Sequence, residues 1–206
     1  MASLYPISFN PSLSTTPRML LVPGSDEHSA RHWLADWEHA FPDAIRLDLG
    51  NWAKPHRNTW VNRLNLAIHQ AGRPVVLVAE GIATLVVAWW AEYEQPQNMQ
   101  HAEAPVAGAL LVDPPDIDRP GTDPRLAALT ACPRAPLPFD ACLLATRSRT
   151  AADLRGQRQL ARDWGATFDT IAAPSLLTPS ALIAAQASPV QTLGHRFLLG
   201  LAGIRG

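Results

Sequence analysis

The stretch that decides the fold is Val75-Val76-Leu77-Val78-Ala79-Glu80-Gly81-Ile82-Ala83. Its first five residues are apolar without interruption and rich in β-branched side chains. A strand with one wet face alternates, whereas a continuous one is buried on both faces, as in a parallel sheet. Glu80-Gly81 breaks the run, and Ile82 to about Tyr93 is apolar nearly all round, the pattern of a buried helix. A strand that turns through a glycine straight into a helix is half of a parallel βαβ unit.

The alternation continues in both directions. Met19-Leu20-Leu21-Val22, stopped by Pro23-Gly24, reads as a buried strand. Trp33, Trp37 and Phe41 recur every four residues and give a helix its apolar stripe; Ala44 to Leu49 reads as a strand. Trp60, Leu64 and Ile68, flanked by Val61 and Ala67, mark a helix ended by Gly72-Arg73-Pro74. Further strands are expected at Val106 to Val112, Ala141 to Thr146 and Ala166 to Ile171. Helices are expected at Ala151 to Trp164, with Leu154, Leu160 and Ala161 inward, and at Pro189 to Leu201. Between Asp116 and Pro138 lies a proline-rich loop with room for one helical turn. The expected fold is therefore α/β, with a mainly parallel twisted sheet covered by helices on both faces. Residues 1–17, crowded with Ser, Thr and Pro, read as a flexible tail, and 18–206 as one domain.

Composition narrows the function. The chain has 206 residues and a net charge of -1, with only 17% charged residues. A broad basic surface for nucleic acid is not expected, because phosphate neutralisation needs clustered Lys and Arg. No apolar run reaches membrane-spanning length, and the N-terminal residues carry neither a basic region nor an apolar block. Cys132 and Cys142 make neither a disulfide framework nor a four-ligand zinc site. The expected location is the cytoplasm, with no cofactor and no metal.

The sequence resembles the small serine hydrolases of the retinoblastoma-binding-protein-9 and YdeN type, over roughly Met19 to Gly203. The resemblance rests on Leu21-Val22-Pro23-Gly24 leading to His32-Trp33, on Trp60-Val61 with Leu64, and on Pro74-Val75-Val76-Leu77-Val78-Ala79. It continues with Val106-Ala107-Gly108-Ala109-Leu110-Leu111-Val112 before Pro114-Pro115-Asp116, and with Pro133-Arg134-Ala135-Pro136-Leu137-Pro138-Phe139. It implies a compact α/β-hydrolase fold without a lid domain. It also implies a nucleophile elbow of the form Gly/Ala-His-Ser-Leu-Gly after the strand at Val75, an acid after the strand at Ala141, and a histidine after the last strand.

This chain departs from that pattern at all three places. The elbow reads Ala79-Glu80-Gly81-Ile82-Ala83, so Gly81 stands where the serine is expected. The acid loop reads Thr146-Arg147-Ser148-Arg149, with Arg149 in the acid position, and Leu176 stands in the histidine position. No histidine lies between His101 and His195. Nucleophile, base and orienting acid act as a unit, so the loss of all three predicts a fold kept without its hydrolytic machinery.

The candidate ligand-binding residues are Gly24, Ser25, Glu80, Ile82, Asp113 and Arg147, all at expected strand ends, where ligands of such sheets bind. Glu80 is expected either to pair with Arg147 or Arg149 or to point to solvent. Ser25 and Asp26 read as caps of the helix carrying His28 and Trp33, with a relocated Ser25–His28 nucleophile as the rival. Asp113 reads as a turn residue, or as an acid of a modified site. Cys142 should be an inert core thiol; Cys132, in the proline-rich loop, is expected to be exposed. Trp33, Trp37, Trp89 and Trp90 read as core, with one of the last pair partly exposed.

Three functions are thus open: a non-catalytic protein that binds a small molecule or a protein partner, a hydrolase with a relocated site (Ser25, His28, Glu80, Asp113), or a scaffold that uses the Asp116 to Pro138 loop or the tail.

Overall fold

The computed structural model describes residues 17–25, 33–98, 105–118, 124–129, 131–146 and 150–172. Six strands form one sheet: β1 (Arg18–Val22), β2 (Ile45–Arg46), β3 (Val75–Glu80), β4 (Val106–Val112), β5 (Ala141–Thr146) and β6 (Thr167–Ile171). Four α-helices alternate with them: α1 (Trp33–Ala40), α2 (Arg57–Gln70), α3 (Ala83–Asn98) and α4 (Ala151–Asp163). The order across the sheet is β2-β1-β3-β4-β5-β6, and every pairing is parallel.

Burial follows position in that order. The inner strands β3 and β5 are buried along almost their whole length, whereas the edge strands β2 and β6 are mostly half-buried or exposed. Alternate side chains of each inner strand feed two cores. Val75, Leu77 and Ala79, with Ala109, Leu111 and Leu143, belong to the larger core, where Trp60 and Leu64 of α2, Leu85 and Trp90 of α3 and Leu160 of α4 pack. Val76, Val78, Leu110, Val112, Cys142 and Leu144 point to the other face, against Trp33, Leu34 and Trp37 of α1.

Several expectations need adjustment. The strand expected over Ala44 to Leu49 is only Ile45–Arg46, because β2 meets β1 at just Leu20↔Ile45 and Leu21↔Arg46. Leu49 is still buried, but from the following loop. Helix α3 runs past Tyr93 to Asn98, since Glu92, Glu94 and Gln95 continue a helix after its apolar run ends. On α4, Leu160 and Ala161 are buried as expected, but Leu154 is half-buried and Gln157 takes the inward position. Cys132 is buried at 5% exposure, not exposed, because its loop folds back into the larger core beside Leu129. The loop contains the expected turn, a 3-10 segment at Pro124–Ala128. The tail expected over residues 1–17, save its last residue, and the helix expected over Pro189 to Leu201 lie outside the described residues. No described helix is long and apolar enough to cross a membrane.

Candidate functional site

The strand order reverses between β1 and β3: from β1 the chain adds β2 on one side and β3 on the other. The crevice beyond the carboxyl ends of those two strands is where open α/β sheets hold ligands. Gly24 follows β1, and Gly81 follows β3. The two loops touch: a Cβ added to Gly24 would lie 2.7 Å from the Glu80 carbonyl oxygen, so only glycine fits there.

Gly81 turns β3 into α3 with φ of +55°, in the left-handed region that side chains adopt at a cost. Its N–H donates to the Val112 carbonyl at 2.8 Å, carrying the β3–β4 ladder into the turn. Its carbonyl accepts from both the backbone N–H (3.1 Å) and the hydroxyl (2.7 Å) of Thr84, which fixes the first turn of α3. Among the described residues, a Cβ added to Gly81 would meet only the Gly24 Cα, at 3.7 Å, an ordinary contact. The turn therefore has the strand-to-helix form of a nucleophile elbow, and Gly81 brings no side-chain oxygen to it. Ile82, the next residue, is buried at 6% exposure and packs into the larger core.

Glu80 lies on the α1 face, by the alternation that puts Val76 and Val78 there. Its Oε1 accepts a hydrogen bond from the Trp33 indole N–H at 3.1 Å. Sequence reasoning missed this partner, although the parity of β3 points Glu80 at α1. Arg147 and Arg149, the partners expected for Glu80, lie outside the described residues, as do Asp26, His28 and Leu176. Ser25 is described and half-buried, just after Gly24.

Asp113 follows β4 directly and also has positive φ, +49°. It is 7% exposed. One carboxylate oxygen accepts from the Thr146 backbone N–H at 2.8 Å and the other from the Thr146 hydroxyl at 2.7 Å. Its own N–H donates to the Leu144 carbonyl at 2.8 Å. Asp113 thus braces the exits of β4 and β5 against each other. Nearby, the buried Gln157 donates to the Pro114 carbonyl at 2.8 Å.

The proline-rich loop is fastened to α4. Arg134 bridges Asp118 at 2.6 Å and Asp163 at 2.7 Å, and the Trp164 indole N–H donates to the Pro133 carbonyl at 2.9 Å. Against the opposing effect of desolvation, hydrogen bonds from Arg134 and Gln159 hold the Asp163 carboxyl below its ordinary range. Burial pushes the Cys132 thiol up to about 12 and Cys142 up to about 11, so neither is a ready nucleophile at neutral pH. Trp33, Trp37 and Trp90 are buried and Trp89 is partly so, as expected. Among the described residues, no group of three or more His, Cys, Asp or Glu is placed to hold a metal ion.

Residues 19–177 match the family model described as serine hydrolase. No curated protein matches the chain. Among solved structures, the chain is similar to a protein described as a putative YdeN-like hydrolase from Pectobacterium atrosepticum, with 20% identity, 93% of each chain covered and a TM-score of 0.63. It is also similar to the ydeN gene product of B. subtilis, with 16% identity, 90% of this chain and 98% of that one covered, and a TM-score of 0.61. A third likeness is to Est1E from Butyrivibrio proteoclasticus, with 12% identity, 94% and 90% covered, and a TM-score of 0.64. These likenesses establish the α/β-hydrolase fold. With the family pattern running from β1 beyond β6, this chain belongs to the serine hydrolase family.

Proposed function

We propose that this member of the serine hydrolase family does not hydrolyse, and that it binds a small molecule or a protein partner at the crevice beyond β1 and β3. The observation that carries the reading is Gly81: the elbow is formed, with φ of +55°, and the residue at its tip has no side-chain oxygen. Arg149 and Leu176, in the positions where the family resemblance implies acid and histidine, support it from the sequence. Gly24, Ser25, Glu80, Ile82, Asp113 and Arg147 are the residues proposed to border or support the ligand site. The two free, buried thiols fit a reducing compartment, and a cytoplasmic location is part of the proposal.

The test is turnover of short-chain p-nitrophenyl esters and aryl amides by purified protein. The expected result is a rate indistinguishable from buffer. Turnover that disappears in Ser25→Ala would overturn the reading in favour of a relocated nucleophile.

A further inference from the structure

Residues 131–139, the last part of the proline-rich loop, are fastened to the end of α4 and hold Cys132 at 5% exposure. We propose that this segment is a strap that opens without the rest of the fold, hinged at Ala131 and clamped by Arg134, and that opening uncovers Cys132 and the end of α4.

The backbone gives the strap little hold. Pro133, Pro136 and Pro138 bring no N–H, so the segment cannot build a continuous ladder with a neighbour. Two bonds fasten it to Trp164, the residue that caps α4. The Leu137 N–H donates to the Trp164 carbonyl at 3.0 Å, and the Trp164 indole N–H donates to the Pro133 carbonyl at 2.9 Å. Segments with few backbone bonds open at lower free energy than core strands.

Clamp and hinge act in opposite directions. Arg134 bridges Asp118 at 2.6 Å and Asp163 at 2.7 Å, so one guanidinium joins the strap, the first arm of the loop and α4. Its side chain is 35% exposed and that of Asp118 is 66% exposed, so water reaches the clamp and keeps it weak. Ala131 has φ of +57°, in the left-handed region, without being glycine. The closed strap holds that strain and the open one releases it. Cys132 follows the hinge directly and packs in the larger core with Leu129, while Leu137 and Phe139 lie against that core. Cys142 is placed differently: it sits in β5, paired with Leu110 of β4 and Thr167 of β6. Its thiol is uncovered when the sheet comes apart, whereas the Cys132 thiol needs the strap alone to move. The inference does not rest on the absence of hydrolysis, because strap opening involves no residue of the elbow.

The experiment is labelling of the native full chain with N-ethylmaleimide at neutral pH, quenched over time and read for each cysteine by peptide mass. The quantity is the ratio of the Cys132 rate to the Cys142 rate, which cancels any change in global stability. In the unaltered chain the ratio should be about ten or more, because local opening is more frequent than unfolding of the sheet. Arg134→Gln removes the clamp and should raise the ratio about fivefold. Ala131→Gly relieves the strain of the closed strap and should lower the ratio about threefold. Equal rates at the two cysteines, or a ratio that Arg134→Gln does not raise or Ala131→Gly does not lower, would overturn the proposal.

Discussion

The exits of β3 and β4 are neighbours that solve one backbone problem in opposite ways. Both turn through the left-handed region, Gly81 at φ of +55° and Asp113 at +49°. At Gly81 the turn costs little, because glycine has no Cβ to strain it, and among the described residues an added Cβ would meet just the Gly24 Cα at 3.7 Å. At Asp113 a side chain bears the strain, which two hydrogen bonds to Thr146 offset. The difference separates two kinds of strand end. One keeps the form of a nucleophile elbow with no side-chain oxygen at its tip, and the other uses its carboxylate to hold strands together.

Substitutions at these exits should differ accordingly. Asp113→Ala should have the largest effect, about 3 kcal/mol, because it keeps the strained φ and leaves the buried Thr146 N–H and hydroxyl without those acceptors. Denaturant unfolding measures it. Asp113→Gly sharpens the point: it loses the same bonds but relieves the strain, so it should be about 1 kcal/mol less damaging than Asp113→Ala. Gly24→Ala should cost about 2 kcal/mol, since its Cβ would meet the Glu80 carbonyl, which belongs to a buried strand and cannot easily move. Gly81→Ser should cost only about 1 kcal/mol, the ordinary penalty of a side chain in the left-handed region, because among the described residues the added Cβ meets only an ordinary contact. If Gly81→Ser proved as costly as Asp113→Ala, the contrast between the two exits would fail.

The smallest expected effect is on pH dependence, away from both exits. The folded state holds the Asp163 carboxyl below its ordinary range, so its pairing with Arg134 contributes above the unfolded-state value and is lost as pH falls through the folded one. Acid should therefore loosen the proline-rich loop from α4 first. The Arg134→Gln variant should lose that part of the acid response, read as faster amide exchange at Leu137, whose N–H donates to the Trp164 carbonyl at 3.0 Å.

The inner strands were legible in the sequence because parallel strands buried on both faces leave continuous apolar runs, as at Val75, Val106 and Ala141. The edge was less legible. Ala44 to Leu49 alternates like a strand, yet pairing, not pattern, decides where β2 stops. The turn at Gly81 could be read from its place between a buried strand and a buried helix. What joins distant residues could not be read: Trp33 to Glu80, 47 residues apart, and Asp113 to Thr146, 33 apart, depend on strand order. The burial of Cys132 was hidden for the same reason, since a proline-rich loop carries no periodicity that says which side faces the core.

The most direct test of the central claim is intact-mass analysis of the purified protein after exposure to a fluorophosphonate. The account predicts an unchanged mass, since the residue at the elbow is Gly81. A single phosphonyl adduct on the native protein, absent from Ser25→Ala, would contradict it.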